Sequence, residues 1–157
     1  MGDVSGKGLQ AAMVVSTIIG GLRMQLSSQP SEVLAQLNRL LAGHVTGFAS
    51  CCAALLHPDG RMQIANAGNP APYCNGVDLE TLAGLPLSLV PDVAYEETLA
   101  TLPAHARLTF VPEGVIEATA ARTNELFGFD RTLAISRETA ATIAEAAFRF
   151  GDGAPPG

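Results

Sequence analysis

The residues with the clearest chemical potential lie at the start of the chain, where the sequence GDVSGKG occupies residues 2–8 and leads into an apolar segment. Asp3 places one carboxylate inside this glycine-rich turn. Glycines let the backbone adopt positive φ values and come close to a bound ion or phosphate. A carboxylate supplies the hard oxygen ligands that Mg²⁺ and Mn²⁺ prefer. The turn therefore predicts metal-assisted phosphate chemistry with Asp3 as a ligand.

The same turn does not fit a nucleotide-binding P-loop, although Gly6 and Lys7 precede a predicted helix. A P-loop has a glycine five residues before its second glycine and a serine or threonine after the lysine. Those two positions hold Met1 and Gly8 here. We therefore do not expect nucleotide hydrolysis.

Composition limits the class of protein. The 157 residues are 48% hydrophobic, which is enough for one buried core, so we expect a single domain over residues 1–157. The net charge of −6, with only nine Lys and Arg, argues against nucleic-acid binding. No uninterrupted apolar stretch reaches the roughly 18 residues of a membrane span, so we expect a soluble, cytoplasmic protein. The three cysteines lack metal-ligand spacing and are expected to be small core residues.

Hydrophobic patterns predict the elements that carry the turn. Residues 9–27 are apolar on almost every side, which favours a helix buried between other layers. A second helix is predicted to start at Pro30 and to present one apolar face. Residues 46–56 indicate a strand buried on both faces. A Pro-Asp-Gly turn at 58–60 then leads into a returning strand over 61–65.

The second half of the chain has weaker patterns. Residues 66–92 are rich in proline and glycine and are predicted to be mostly loop, with a short strand around Tyr73. Two further strands, joined by a turn, are predicted over 96–102 and 107–111. A final helix is predicted over 136–150, capped by its first residue. Helices, antiparallel strands and then a helix favour the α+β class.

Six segments in a fixed order carry a family resemblance. They are GDVSGKG with LQAA (2–12), NRLL (38–41), ANAGNP (65–70), GLPL (84–87), EGVIEA (113–118) and ELFG (125–128). In this order, over almost the whole chain, they resemble the bacterial serine phosphatases of the stage II sporulation protein E type. These belong to the metal-dependent PP2C-like (PPM) superfamily. The resemblance implies an αββα sandwich of two antiparallel sheets flanked by helices.

The resemblance also implies a two-metal centre of Mn²⁺ or Mg²⁺ that activates a water for attack on phosphoserine or phosphothreonine. Asp3 would bind both metals, and Gly2 would bind one of them through its backbone carbonyl. Glu113 stands where the family has an aspartate, and Pro112 stands where it has a threonine. Asp3 and Glu113 are thus the expected catalytic and metal-binding carboxylates.

Two further positions are candidates for binding the substrate phosphate, because each replaces a family histidine. Lys7 could bind phosphate by charge or could be an ordinary solvated lysine. Asn69 could donate a hydrogen bond to substrate or could be a turn residue before Pro70.

The expected function is dephosphorylation of phosphoserine on a small bacterial signalling protein, commonly an anti-sigma-factor antagonist. Two family segments that carry further metal-binding aspartates have no counterpart in residues 1–157, so we expect a domain incomplete at both termini. Strands without neighbours would then expose sheet edges and favour self-association. The alternative is a catalytically impaired pseudophosphatase that acts as a protein-interaction module.

Overall fold

The computed structural model of the chain describes residues 1–25 and 27–151. The chain forms two compact units. The first contains Met1–Asn69 and Thr81–Ala104, and the second contains Pro70–Glu80 and the chain from His105 onward. Both units are built from strands and helices, and the expectation of one domain over residues 1–157 stays a prediction.

Eight strands and five helices occur among the described residues. In chain order they are β1 (Gly2–Val4), α1 (Leu9–Arg23), α2 (Pro30–Leu41), β2 (Ala49–Leu56), β3 (Arg61–Ala67), β4 (Tyr73–Cys74), β5 (Val77–Asp78), β6 (Ala83–Gly84), β7 (Glu97–Thr101), β8 (Leu108–Thr109), α3 (Glu113–Ile116), α4 (Gly128–Ile135) and α5 (Ala140–Phe150).

The sheet of the first unit has β3 at its centre. Strand β2 pairs with one side of β3, and both β6 and β7 pair with the other side, while β1 pairs with β2. All of these pairs are antiparallel except β3 with β6, which is parallel. The predicted Pro-Asp-Gly turn does connect β2 to β3, and the His57 amide donates to the Arg61 carbonyl across it at 2.8 Å. The core side of this sheet is largely covered by α2.

Helix α2 forms where its sequence predicts it, and its apolar stripe faces the core. Leu34, Leu37 and Leu41 are completely buried. A tertiary contact completes its first turn, because the Glu97 carboxylate accepts the Ser31 amide at 3.0 Å and the Ser31 hydroxyl at 2.7 Å. Partial burial acts to raise the pKa of Glu97, but these hydrogen bonds, with a third from the Gln63 side-chain amide at 3.0 Å, outweigh it and the pKa lies below its usual value.

Helix α1 differs from the prediction in burial and in length. Only Val14 is buried, whereas Leu9 is 77% exposed and Met13 is 61% exposed. The expectation of a helix buried between layers is therefore wrong for this structure. The helix packs on α2 through a narrow face, where a Cβ on Gly21 would lie 2.7 Å from Leu40 Cδ1. It ends at Arg23, because Met24 already bonds back to the Gly21 carbonyl in a tighter turn.

The predicted loop after β3 is mostly irregular, as expected, and one buried side chain of α2 anchors its last part. Asn38 is completely buried. Its amide nitrogen donates to the Val90 carbonyl at 2.9 Å, and its oxygen accepts the Ser88 amide at 2.8 Å. The carboxamide thus supplies the hydrogen bonds that a strand would otherwise provide to this loop.

The second unit has a small antiparallel sheet in the order β5, β4, β8. The short strand predicted near Tyr73 is β4. The strands predicted over 96–102 and 107–111 both exist in shorter form, as β7 and β8. They do not pair with each other, because β7 adds to β3 in the first unit and β8 adds to β4.

The prediction of the final helix is wrong at its start. Ser136 is buried at the end of α4, where its hydroxyl donates to the Leu133 carbonyl at 2.8 Å. Thr139 is the cap of α5 instead, since its side-chain oxygen accepts the Thr142 amide at 3.2 Å. Both hydroxyl residues are good cap candidates by type, and only the tertiary structure separates them.

We predict that Asn38→Ala lowers the free energy of unfolding by about 2 kcal/mol, because it leaves two backbone groups of the 88–90 loop without their partner and opens a small cavity. Chemical denaturation followed by circular dichroism measures the change. The neighbouring Arg39→Ala is the control, since Arg39 is exposed. A loss no larger than that of the control would contradict the anchoring role of Asn38.

Candidate functional site

Asp3 lies in the middle of β1, directly opposite Ser50 of β2. The ladder begins with a pair that exchanges both backbone hydrogen bonds, since the Met1 amine donates to the Cys52 carbonyl at 3.0 Å and the Cys52 amide donates to Met1 at 2.8 Å. Such pairs alternate along antiparallel strands. The amide and carbonyl of Gly2 therefore point away from β2, toward the side of β1 that has no partner strand among the described residues.

The Asp3 carboxylate turns toward the same side of β1. Its Oδ1 accepts the Val4 amide at 2.9 Å, and that amide belongs to the outward-pointing set of the ladder. Asp3 is partly exposed, and no other hydrogen bond to its carboxylate occurs within residues 1–25 and 27–151. The structure thus places a carboxylate and the Gly2 carbonyl on one open edge of the sheet.

The turn after β1 is closed by Ser5 and not by its glycines alone. The Ser5 amide donates to the Phe48 carbonyl at 2.9 Å, and the Ser5 hydroxyl accepts the Phe48 amide at 2.9 Å. These two hydrogen bonds give Ser5 a structural role in the turn, so its presence in the motif does not require a nucleophilic role. Lys7 follows in an exposed position between two glycines of positive φ. Its ammonium group forms no ion pair within the described part of the chain.

Asn69 approaches the Asp3 region from the other side of β2. Its side chain is 5% exposed, and its Oδ1 accepts the Ser50 hydroxyl at 3.5 Å, a long hydrogen bond. Because Ser50 faces Asp3 across the ladder, the side chains of Asp3, Ser50 and Asn69 follow one another along one face of the sheet. The structure therefore brings two of the predicted site residues together, with a serine between them that the sequence reasoning did not single out.

Asn66, which the sequence reasoning also did not single out, holds the Asn69 backbone in place. The Asn66 carboxamide accepts the Asn69 amide at 2.8 Å and donates to the Asn69 carbonyl at 2.8 Å. It also donates to the Thr81 hydroxyl at 3.1 Å. Its place in the ANAGNP segment was a signal for this role, because asparagine closes turns by bonding nearby backbone groups.

Two close approaches make this turn rigid. Gly68 has a φ of +75°, and a Cβ there would lie 2.5 Å from Pro86 Cγ. A Cβ on Gly84 would lie 2.5 Å from the Asn66 carbonyl oxygen and 2.9 Å from the Tyr95 ring. The glycines of the ANAGNP and GLPL segments are therefore required by contact between the two segments.

Glu113 belongs to the second unit, where it is the first residue of the short helix α3. Its carbonyl accepts the Glu117 amide at 2.8 Å, and Pro112 precedes the helix in extended conformation. The residue is half-buried and has interactions of its own. Glu113 thus begins a short helix of the second unit, whereas Asp3 lies in a strand of the first unit.

The donor set of the first unit suits a hard cation. Gly2 and Asp3 supply oxygen ligands, and Mg²⁺ commonly keeps several waters while using one or two carboxylates and the substrate phosphate. The residues therefore fit a largely hydrated Mg²⁺ or Mn²⁺ ion. They are too few to enclose two ions by themselves, and among the described residues no group of three or more His, Cys, Asp or Glu is placed to bind a metal.

The cysteines do not contribute to this site as nucleophiles. All three are free thiols, and Cys52 is buried, as predicted for a core cysteine. Burial raises the pKa of Cys52 to about 11, and it also raises the pKa of Cys51. Both thiols are therefore protonated at neutral pH and chemically quiet.

The family of the chain follows from its sequence. The Stage II sporulation protein E (SpoIIE) family matches residues 1–150. The chain therefore belongs to this family of PP2C-like phosphatases. A comparison with curated proteins finds no significant match.

Solved structures are similar to this chain over nearly its whole length. The SiaA-PP2C domain of Pseudomonas aeruginosa has a TM-score of 0.78 at 14% identity and covers 99% of this chain. The RsbU and RsbW domains of Rv1364c from Mycobacterium tuberculosis have a TM-score of 0.72 at 24% identity and cover 94% of it. The PP2C phosphatase domain of SpoIIE from Bacillus subtilis, solved with a fragment of its regulatory domain, has a TM-score of 0.70 at 14% identity and covers 97%.

These likenesses confirm the PP2C-like α+β fold class, with its two sheets, for this chain. The chain spans 69% of the first of these chains, 46% of the second and 49% of the third. Within the described residues, no helix has the length and apolar character needed to cross a membrane.

Proposed function

We propose that this chain is a metal-dependent protein serine/threonine phosphatase that hydrolyses phosphoserine on a bacterial signalling protein of the anti-sigma-factor antagonist type. Membership of the SpoIIE family over residues 1–150 supports the reaction class. The resemblance of its motifs supports the substrate class. A substrate of this kind is intracellular, so we propose that the chain works in the cytoplasm.

The observation that carries the proposal is the pair of oxygen ligands at the open edge of β1. Asp3 and Gly2 occupy the metal-binding positions of the family's first motif, and their carboxylate and carbonyl face the same side of the strand. A phosphate group can reach this edge from solvent, because Gly2 is exposed and Asp3 is partly exposed.

Asp3 would hold a Mn²⁺ or Mg²⁺ ion through its carboxylate, and Gly2 would orient the same ion through its carbonyl. When bound, such an ion lowers the pKa of a coordinated water and neutralises phosphate charge. Glu113 is the second proposed metal-binding carboxylate. Its side chain is one methylene longer than that of the family aspartate, which displaces its oxygens by about 1 Å.

Lys7 and Asn69 are the proposed substrate contacts, and they differ in how easily a phosphate in solvent can reach them. Lys7 is exposed beside the turn, so its flexible ammonium group can meet a phosphate on an incoming protein. Asn69 is buried against Ser50, so it would contact only a phosphate that enters deeply. Lys7 is therefore the stronger candidate of the two.

The second candidate function is a pseudophosphatase that binds a partner protein without turnover. One observation favours it, namely that no three His, Cys, Asp or Glu side chains are placed together as a metal site in the described part of the chain. A single carboxylate and a carbonyl give weak metal binding, and a chain that does not hold the ion would not hydrolyse a phosphate ester. Activity assays separate the two functions.

We predict that Asp3→Ala lowers Mn²⁺-dependent hydrolysis of a phosphoserine peptide by about 100-fold or more, because it removes the proposed metal-binding carboxylate from the β1 edge. Release of inorganic phosphate measures the rate. Asp59→Ala is the matched control, since Asp59 is an exposed carboxylate of the same unit that pairs with Arg61 in the β2–β3 turn. If both variants keep native activity, the assignment of Asp3 is wrong. If the native chain shows neither hydrolysis nor a Mn²⁺-induced rise in melting temperature, the pseudophosphatase is the correct function.

Glu113→Asp is expected to raise kcat/KM on the order of tenfold, since a shift of about 1 Å in a ligand can change a rate by up to 100-fold. The same peptide assay at saturating Mn²⁺ measures it. Glu117→Asp shortens a carboxylate one helical turn further on and should leave the rate unchanged. A fall in activity for Glu113→Asp alone would mean that the active site is already adapted to glutamate.

We also propose self-association through sheet edges. Strands β1 and β7 each pair on one side only within the described residues, which leaves rows of backbone groups for another copy. Light scattering at increasing concentration should show a mass above that of one chain. A constant monomer mass over the whole range would exclude it.

A further inference from the structure

Phe48 lies close to Asp3 on the sheet, although none of the sequence motifs includes it. The β1–β2 ladder pairs Asp3 with Ser50, and it continues by one more pair because the Ser5 amide donates to the Phe48 carbonyl at 2.9 Å. Side chains two residues apart on a strand lie on the same face of the sheet. Asp3, Ser50 and Phe48 therefore share one face, with Phe48 diagonally across the ladder from Asp3.

The exposure of this face changes along β2 and increases at Phe48. Cys52 and Ser50 are each 2% exposed, whereas Phe48 is 39% exposed and Asp3 is partly exposed. Diagonal neighbours across a ladder are about 7–8 Å apart, a separation that an aromatic side chain can span. A molecule that approaches Asp3 from solvent therefore meets an accessible aromatic side chain beside it.

The backbone of Phe48 is fixed by the turn that follows Asp3. The Ser5 hydroxyl accepts the Phe48 amide at 2.9 Å, so both backbone polar groups of Phe48 are bonded to Ser5. Gly47 precedes it with a φ of +97°, and a Cβ there would lie 2.8 Å from Ser5 Oγ. Because this segment is already ordered, a contact made by the Phe48 ring would cost little backbone entropy.

We propose that Phe48 is a specificity-determining residue that contacts a large apolar side chain two positions away from the phosphoserine of the substrate. The inference rests on the proposed function, in which the phosphoserine approaches Asp3. In an extended peptide, side chains two residues apart lie on the same side and about 7 Å from each other. This spacing is close to the diagonal separation of Asp3 and Phe48. A phosphoserine directed at Asp3 thus brings its second neighbour against Phe48.

The contribution of Phe48 would be to binding and not to the chemical step. Its side chain has no group that transfers a proton or binds a metal, but its contact with a leucine of the substrate removes apolar surface of both from water. Such a contact is the same in the bound substrate and in the transition state, so it lowers KM and leaves kcat unchanged. A glycine at that position of the substrate has no side chain to bury.

The test compares three phosphoserine peptides that differ only at the positions two before and two after the phosphoserine. The first has leucine before it, the second has leucine after it, and the third has glycine at both places. With the native chain and saturating Mn²⁺, one leucine peptide should have a kcat/KM about tenfold above that of the glycine peptide, through a lower KM. Phe48→Ala should bring this ratio close to one, and Phe48→Leu should keep most of it.

Leu56→Ala is the matched control. Leu56 is an exposed apolar residue at the other end of β2, on the same face as Phe48. This variant should keep both the rate and the preference of the native chain. Circular dichroism and the melting temperature verify that each variant is folded. Phe48→Gln replaces Phe48→Ala if the smaller side chain unfolds the chain, and it should lose the preference as well, because its end is polar.

A loss of preference confined to KM is the result that a purely structural role of Phe48 would not produce. The inference is overturned if the native chain hydrolyses all three peptides with the same kcat/KM, or if the folded Phe48 variant keeps the native preference. Either result leaves the proposed function standing. If the native chain hydrolyses none of the peptides, the proposed function fails and this inference fails with it.

Discussion

The antiparallel pairing of β1 with β2 is the interaction on which the candidate site depends. It sets which backbone groups of the short strand face inward and which face its open edge, and Gly2 belongs to the outward set. It also places Asp3 opposite Ser50, on the same face of the sheet. A shift of one residue would turn Asp3 to the other face and Gly2 toward β2. The chemistry of the first motif is therefore a consequence of register.

The family motifs of the first unit are separate in sequence but meet in space. Gly68 of one segment packs against Pro86 of another, and Gly84 packs against Asn66. The Asn38 carboxamide from α2 bonds the loop that follows Pro86. Most of these motif residues contact each other and not the open edge of β1. Their common effect is to fix the loop that carries Asn69, which in turn meets Ser50 beside Asp3.

Local patterns predicted the elements whose cause is local. Helix α2 has a proline at its start and a regular apolar stripe, and the β2–β3 hairpin has its turn residues, so both could be predicted. The start of α5 could not, because Ser136 and Thr139 are both plausible caps and only the end of α4 decides between them. The exposure of α1 could not be predicted either. Its composition indicates burial, but the number of elements that cover a helix is a property of the whole fold.

Residues of the candidate site could be predicted where the side-chain type itself suggests the role. They could not be predicted where the role depends on which residues the fold places beside them. Asp3 and Glu113 are carboxylates in recognisable motifs, so the sequence alone is enough to propose both as ligands. Ser50 has no motif of its own, and its place beside Asp3 follows only from the strand register. Asn66 lies inside the ANAGNP segment, yet its two hydrogen bonds to the Asn69 backbone depend on the turn geometry.

The small number of ligands at the β1 edge has a consequence for how the proposed phosphatase would bind its ion. A carboxylate and one carbonyl leave most coordination positions to water, and a substrate phosphate can replace some of those waters. Ion and substrate would then bind cooperatively, because each supplies part of the other's site. In such a site the charge of Asp3 matters more than it would in a centre with several carboxylate ligands, because fewer protein ligands balance the charge of the ion. The Asp3 carboxylate, held at the open edge by the Val4 amide, is therefore the group of the first unit on which metal affinity would depend most.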